Sequence, residues 1–247
     1  MLEIGIASGW ASTLTPNLKL KPIMPRYEEL LSELRNVVFS RGRWFDSILP
    51  PIIFLILNAF VDYEIAIAGS LSAAVLIGVY RLMRKEPVRY AFGGAGGVIV
   101  AGLLARFVGG AQGYFLPGII SGAVTTLICV ISVFVKRPLV AWTSYITRRW
   151  PLEWYWHPKV RPAYSEVTVA WALFFGLRTL FQFNLFQQQA AGTLGVIQLL
   201  TGWPALIILL ILSYLYGMWR LGNLQGPSVE EFKANTEPPW QGQKRGF

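Results

Sequence analysis

The sequence predicts an all-α polytopic membrane protein with six transmembrane helices, an amphipathic helix before them and an interfacial helix after the fourth. Composition is the first reason: 54% of the 247 residues are hydrophobic and only 14% are charged, with a mean hydropathy of +0.47. Soluble domains carry about 25% charged residues. The second reason is that the missing charges are absent from discrete apolar stretches, as expected of a chain surrounded by lipid.

The apolar stretches have the lengths and boundaries of membrane helices. We predict six spans, at about 46–61, 65–82, 88–108, 115–135, 164–183 and 194–220. The first would be only about 24 Å long at 1.5 Å per residue, against a hydrocarbon core of roughly 30 Å. The sixth is longer than the core, so we expect it to bend at Pro204, with an interfacial first part or a strong tilt.

The distribution of lysine and arginine is the third reason, and it predicts the orientation. With the N-terminus inside, 20 of the 22 basic residues fall in the four segments on the inner side. The remaining two, Arg106 and Arg178, lie within spans. Because cytoplasmic loops are enriched in Lys and Arg, this asymmetry predicts a multi-pass protein with both termini in the cytoplasm.

The chain divides into three regions. Residues 1–43 form a predicted cytoplasmic arm containing an amphipathic helix at 26–40, residues 44–221 the membrane domain, and residues 222–247 a Pro/Gly-rich tail. The tail lacks an apolar face of useful width, so we expect it to be extended or disordered unless a partner orders it. The aromatic and basic stretch 139–150 predicts the interfacial helix. Candidate residues for docking partner subunits are apolar and aromatic side chains of these peripheral segments: Leu30, Leu34, Trp150, Trp154 and Trp240.

Glycines open the third predicted span, at Gly93, Gly94, Gly96 and Gly97, and Gly102 follows. Small residues let helices approach closely in lipid, so we interpret these glycines as packing positions. A phosphate-binding loop is the alternative, but no strand precedes the glycines and no Lys-Ser/Thr follows them.

Residues able to carry catalysis or hold a metal are few. The chain has one cysteine, Cys129, within a span, and one histidine, His157, outside the spans. The carboxylates and histidine that a lipid-modifying enzyme would need (Glu153, His157 and Glu166) are sparse. We therefore predict a non-enzymatic protein with no metal and no identifiable cofactor, but with bound lipids. The aromatic residues cluster at span ends, which favours an interfacial belt over a pigment or quinone site. The basic residues between spans favour lipid headgroups over nucleic acid.

Polar residues within or beside the outer halves of the spans form the main candidate site. An intramembrane arginine is costly and by default functional. We predict that Arg178 has polar partners on neighbouring spans. The candidate intramembrane cluster comprises Arg178, Gln182, Arg106, Asn58, Asp62 and Glu64. It could line a solute or ion path, or Arg178 could only anchor helices or reach the outer surface.

Several short motifs occur in an order that resembles a known family. They are DSILP at 46–50, FLPGI at 115–119, KRPL at 136–139 and AWALFFGLR at 170–178. Over about 43–221 the chain resembles the bacterial membrane family catalogued as domain of unknown function 3159 and, more distantly, the intracellular septation protein A group. The resemblance implies a non-enzymatic protein of the bacterial inner membrane. We expect an accessory or organising subunit of a membrane complex or of the cell envelope; the alternative is a small-solute or ion transporter with Arg178 on the pathway.

Overall fold

The computed structural model describes residues 43–85, 93–244 and 246–247, and their side chains from residue 48 onward with the exception of Gly93. The predicted amphipathic helix, with Leu30 and Leu34, lies outside these residues. The described part contains helices and no strand, which confirms the all-α prediction for it. The helices, in chain order, are α1 (Arg43–Asn58), α2 (Tyr63–Met83), α3 (Gly93–Val108), a 3-10 helix (Ala111–Phe115), α4 (Leu116–Phe134), α5 (Leu139–Arg148), α6 (Leu152–Trp156), α7 (Arg161–Gln187), α8 (Ala191–Leu200), α9 (Trp203–Leu224) and α10 (Val229–Lys233).

The described parts of all six predicted spans fall mainly on helices, but these helices differ in length. Four apolar helical segments of the described chain are long enough to cross a membrane: Tyr63–Met83, Ala111–Phe134, Arg161–Gln187 and Ala191–Leu224. The apolar parts of α1 and α3, Ile48–Asn58 and Gly94–Val108, are shorter. The structure therefore supports a membrane protein with four candidate spans and two shorter apolar helices.

Proline and left-handed residues define the helix boundaries. Pro117, Pro162 and Pro204 occupy the first turns of α4, α7 and α9, where the missing N–H has no intrahelical partner to lose. Lys136 and Arg149, with φ of 58° and 54°, follow the ends of α4 and α5, as left-handed residues commonly do. The sixth predicted span is divided at residues 201–202, just before Pro204, so the predicted bend is a break between α8 and α9.

A first core joins α1, α2 and α3 to the 3-10 helix. Phe54 of α1 stacks on Tyr114 with centroids 3.8 Å apart, and the Tyr114 hydroxyl donates to Ser70 Oγ over 3.4 Å. Gly113 allows the 3-10 helix to lie directly against α3, because a Cβ there would be 2.7 Å from the Ala105 Cα. The sequence pattern did not predict that this short segment enters the bundle.

The packing prediction holds for only some of the glycines of α3. Gly102 packs as expected, since a Cβ there would be 2.8 Å from the Ile67 side chain of α2. A Cβ at Gly94, Gly96 or Gly97 would have no neighbour within 4 Å, so these three are not close-packing positions. The side-chain surroundings of Gly93 lie outside the described residues.

Helices α7 and α9 run antiparallel, and three polar contacts fix the register of α7 against α9 and the residues just before it. Trp171 Nε1 donates to Ser213 Oγ over 2.8 Å near the middle. Glu166 pairs with Arg220 at one end, and Gln182 Nε2 donates to Thr201 Oγ1 over 3.4 Å at the other. The end of the bundle near Glu166 and Arg220, to which the Lys/Arg-rich segment 136–161 is attached, is called the basic end below.

A second core closes the basic end, and the tail is part of it. The cluster includes residues of α5, α6 and the adjacent ends of α7 and α9, together with Val229 and Phe247. The tail was expected to be extended; instead it carries α10, whose N-cap Ser228 and Glu231 form a reciprocal capping box. It folds back because it supplies apolar side chains to a core that the helix ends leave incomplete. We call residues 135–161, which carry α5 and α6, together with residues 225–244 and 246–247, the cap.

Candidate functional site

The predicted intramembrane cluster is divided in the structure. Arg106 lies 3.9 Å from Glu64, and both side chains are more than half exposed, so the ion pair contributes little to stability. Asp62 is exposed and makes no capping hydrogen bond at the start of α2. Among the described ion pairs none joins Arg178 to Asp62 or Glu64. Of the predicted cluster, the described ion pairs therefore bring together Glu64 and Arg106.

Arg178 lies deeper in α7 than expected, because the helix continues to Gln187. Arg178 lies nine positions before Gln187, which corresponds to about 14 Å along the helix at 1.5 Å per residue. The register with α9, fixed at Gln182 and Thr201, places Arg178 level with the first turn of α9. Its side chain is half-buried, and its Nε atom is buried without a hydrogen-bond partner.

Neutral polar groups surround this level of the bundle. Gln182, one turn beyond Arg178, is 1% exposed and bonds to Thr201. Thr179 Oγ1 and Gln198 Oε1 are both buried without a hydrogen-bond partner. The glycines of α4 make room for them, since a Cβ at Gly122 would meet Thr179 and one at Gly118 would meet the Gln198 amide. Of the predicted site residues, only Arg178 and Gln182 belong to this group.

A cavity of about 390 Å³ adjoins the group on the side of α1 and α3. Its wall includes residues of α1, α3, the 3-10 helix, α4, α8 and α9. Gln198 is on the wall, but Arg178 is not. The wall is mainly apolar, and the described residues that line it include no charged side chain. A continuous polar route to Arg178 is therefore not visible in the described residues.

The candidate docking tryptophans hold the cap together. Trp154 is 0% exposed, and its Nε1 donates to the Pro227 oxygen over 2.9 Å. It therefore offers no surface to a partner, and its assignment as a docking residue is wrong. Trp150 is half-buried, 5.3 Å from the Trp154 ring. Trp240 is half-buried beside His157, with Lys159 Nζ 5.3 Å from its ring centre.

Phe247 connects the tail to the bundle. Its ring stacks on Tyr164 with centroids 4.4 Å apart, and its main-chain oxygen accepts a hydrogen bond from Arg148 Nε over 3.1 Å. Gly217 of α9 leaves the space for this ring, because a Cβ there would meet it. The tail is therefore held by the stacking of Phe247 on Tyr164 and by the hydrogen bond from Arg148.

The exposed surface of the basic end combines cations with aromatic rings. Arg137 lies 4.4 Å above the Trp156 ring, and Trp142 is 5.8 Å from the same ring. On α5, Val140, Ala141 and Ser144 are buried, whereas Trp142 and Ile146 are exposed by 38% and 71%. These two are one turn apart and thus share a face. That arrangement suits a helix lying at a membrane surface, with rings and cations at headgroup level.

His157 lies at the edge of the cap. Its ring contacts Phe232 and Trp240, with centroids 6.4 and 5.4 Å away. Burial, followed by the nearby Lys159 charge, holds the pKa of the imidazole below its ordinary value. In the described residues no group of three or more His, Cys, Asp or Glu side chains is placed to hold a metal ion.

Sequence reasoning missed the ion pair between α7 and α9. Arg220 donates to Glu166 through Nε at 2.7 Å and Nη2 at 2.8 Å, and the Tyr216 hydroxyl donates to the same carboxylate over 2.8 Å. The charge count placed Arg220 with the basic residues of the inner side and gave it no partner. The four-residue spacing of Tyr216 and Arg220 was the available signal, since it places both on one helix face.

Comparison with known proteins identifies a family without an assigned activity. Residues 41–218 match the family described as "Protein of unknown function (DUF3159)". No curated protein and no solved structure matches the chain. The matched range covers α1 to α8 and most of α9, and therefore includes the polar group, the cavity and the first part of the cap. The chain belongs to the DUF3159 family.

Proposed function

We propose that this protein is a non-enzymatic accessory subunit that organises other proteins in a membrane and docks them on the cap. The observation that carries the proposal is the contrast between the two ends of the bundle. At the basic end a separate core supports a surface of cations and exposed rings. At the level of Arg178, the ionisable groups are not joined into a path.

The proposed topology has six spans, with both termini in the cytoplasm of a bacterial cell. The contacts of the short helices support it: Leu57 of α1 packs against Gly69, and Ile67 packs against Gly102 of α3. Both short helices thus lie along α2, a candidate span.

Reporter fusions active only outside the cytoplasm should be inactive after residue 85 and residue 150 and active after residue 110. An active fusion at 150 would refute the orientation.

The surface chemistry of the cap indicates the kind of partner. Residues 135–161 contain six lysines and arginines and a single acidic residue, Glu153. Lys136, Arg137 and Arg149 are exposed. Such a surface attracts acidic segments of neighbouring membrane proteins as well as anionic lipid headgroups. Trp142 and Ile146 would hold the cap at the membrane surface, where a partner meets it.

Co-purification of the full-length protein in a mild detergent tests the proposal. We expect partner subunits to remain bound to the wild type and to be lost from K136E/R137E, because charge reversal at the exposed surface repels an acidic partner. R84E/K85E is the control with the same change in charge, since Arg84 and Lys85 are exposed at the end of α2 and are not part of the cap. A wild-type protein that elutes alone as a monodisperse species would contradict the proposal, as would equal partner recovery from both variants.

Transport is the second candidate function, and the unpartnered Nε of Arg178 favours it. A pathway role requires the charge, whereas an anchoring role requires mainly the length of the side chain. Arg178→Met keeps most of the apolar stem and removes the guanidinium. Growth and solute uptake should be unchanged in this variant if the protein is an accessory subunit. Loss of uptake of a defined solute, with normal protein levels and partner recovery, would favour transport.

A further inference from the structure

The cavity beside Gln198 has the size and lining of a ligand site. Its volume of about 390 Å³ lies within the range of about 300–1,000 Å³ that is typical for small-molecule sites. Aromatic rings of Tyr114, Phe115 and Trp203 and the flat backbone of several glycines form much of its wall. An apolar molecule would therefore meet complementary surface on several sides.

The glycines of α3 keep this volume open. Gly94 and Gly97 line the cavity, and a Cβ at either would have no neighbour within 4 Å. Glycine in a helix interior costs about 1 kcal/mol relative to alanine. Close packing explains that cost at Gly102 but not at Gly97, while Gly94 lies in the first turn of α3. Both are exposed, so the cavity is accessible from the α3 side.

Gln198 supplies the polar feature of the wall. Its Oε1 atom is buried without a hydrogen-bond partner, so the amide must turn toward the cavity before a ligand can reach this atom. A buried acceptor of this kind is costly unless a donor reaches it. The Tyr114 hydroxyl, also on the wall, already donates to Ser70. A ligand that satisfies Gln198 must therefore bring its own O–H or N–H group.

Water and charged solutes suit the cavity less well than lipid. A buried water needs two to four polar partners, and the wall offers mainly the Gln198 amide. A charged solute would find no opposite charge among the described lining residues. We propose that the cavity binds a lipid of the long-chain alcohol class, with its hydrocarbon body against the glycines and its hydroxyl donating to Gln198 Oε1.

Photolabelling of the full-length protein in phospholipid vesicles tests this assignment. The probes are a diazirine-bearing hexadecanol and its methyl ether, which differ only in the hydroxyl donor. In the wild type we expect both to label the peptides around residues 94–101 and 195–203. The alcohol should label them about fivefold more strongly than the ether, as one net hydrogen bond predicts. Equal labelling by the two probes would overturn the role of Gln198.

Two α3 variants separate cavity binding from general exposure to lipid. Gly97→Leu places a side chain in the cavity without a predicted clash and should reduce labelling to background. Gly96→Leu is the matched control, because Gly96 has the same open surroundings but does not line the cavity. Equal labelling of the two variants would overturn the site.

Gln198→Leu tests the proposed hydrogen bond without filling the cavity. The variant should still be labelled by the ether, but the preference for the alcohol should disappear. A preference retained in Gln198→Leu would refute the proposed hydrogen bond. Thermal unfolding and size exclusion show whether each variant is folded. These readouts do not involve the cap, so they remain informative if the proposed docking function fails.

Discussion

Removing the Phe247 ring should release the tail from the basic end. Phe247 is 9% exposed, stacks on Tyr164 and places its main-chain oxygen against Arg148. Phenylalanine-to-alanine changes in cores cost about 3–5 kcal/mol. Part of the ring lies at the surface, so we take about 3 kcal/mol for Phe247→Ala. That value corresponds to an increase of roughly 150-fold in the population of the undocked tail.

Hydrogen exchange in detergent micelles measures this opening at two backbone amides. The Gln241 N–H donates to Glu231 Oε1 over 2.7 Å, and the Val229 N–H donates to Gln243 Oε1 over 3.1 Å. Both should exchange faster in Phe247→Ala, while amides in the middle of α4 should be unaffected. Phe134→Ala is the control, because Phe134 is 82% exposed. Unchanged exchange at Gln241 and Val229 would refute the claim that Phe247 holds the tail.

Three further predictions concern the bundle and the cap. Glu166→Gln removes the charge that binds Arg220 and should lower the thermal unfolding midpoint. Glu64→Gln, at an exposed pair, should leave the midpoint within about 1 °C of the wild-type value. Equal shifts in the two variants would contradict the difference between the two ion pairs. Gly102→Leu should destabilise by about 1–3 kcal/mol through overpacking, measured by thermal unfolding, and a neutral result would show that α2 and α3 are not in close contact there. The folded-state pKa of His157 lies below its ordinary value of 6.5, so the unfolded state binds the proton more readily. The stability of the cap should therefore fall as the pH drops below about 6.5. An NMR titration that gives His157 a pKa at or above 6.5 would contradict this prediction.

The sequence pattern predicted where apolar helices occur, because continuous hydrophobicity and proline positions are local properties. It located α2, α4 and α7 well and the boundaries of α8 and α9 poorly. Helix α8 packs closely against α1 and the 3-10 helix, since a Cβ at Gly195 would meet Leu55 and Phe115. Contacts of this kind between distant segments cannot be read from hydropathy.

The candidate site was predicted less completely than the helices. Depth along each span suggested that Arg178 could meet Asp62 or Glu64, but depth does not determine which helix faces meet. The pairing of Glu64 with Arg106 follows from the contact of α2 with α3, and the burial of Trp154 follows from the return of the tail. The capping motif at Ser228 and Glu231 was present in the sequence and would have indicated an ordered tail.

The return of the tail also sets an order for folding during synthesis. The second core combines residues of α5, α6 and the start of α7 with Met218, Val229 and Phe247. The members from Val140 to Val167 are synthesised some 50 to 100 residues before those from Met218 to Phe247. Contacts between residues so far apart in the sequence form slowly. Trp154 and Tyr155 can therefore complete their packing only after the last core residues, Met218 to Phe247, have been synthesised.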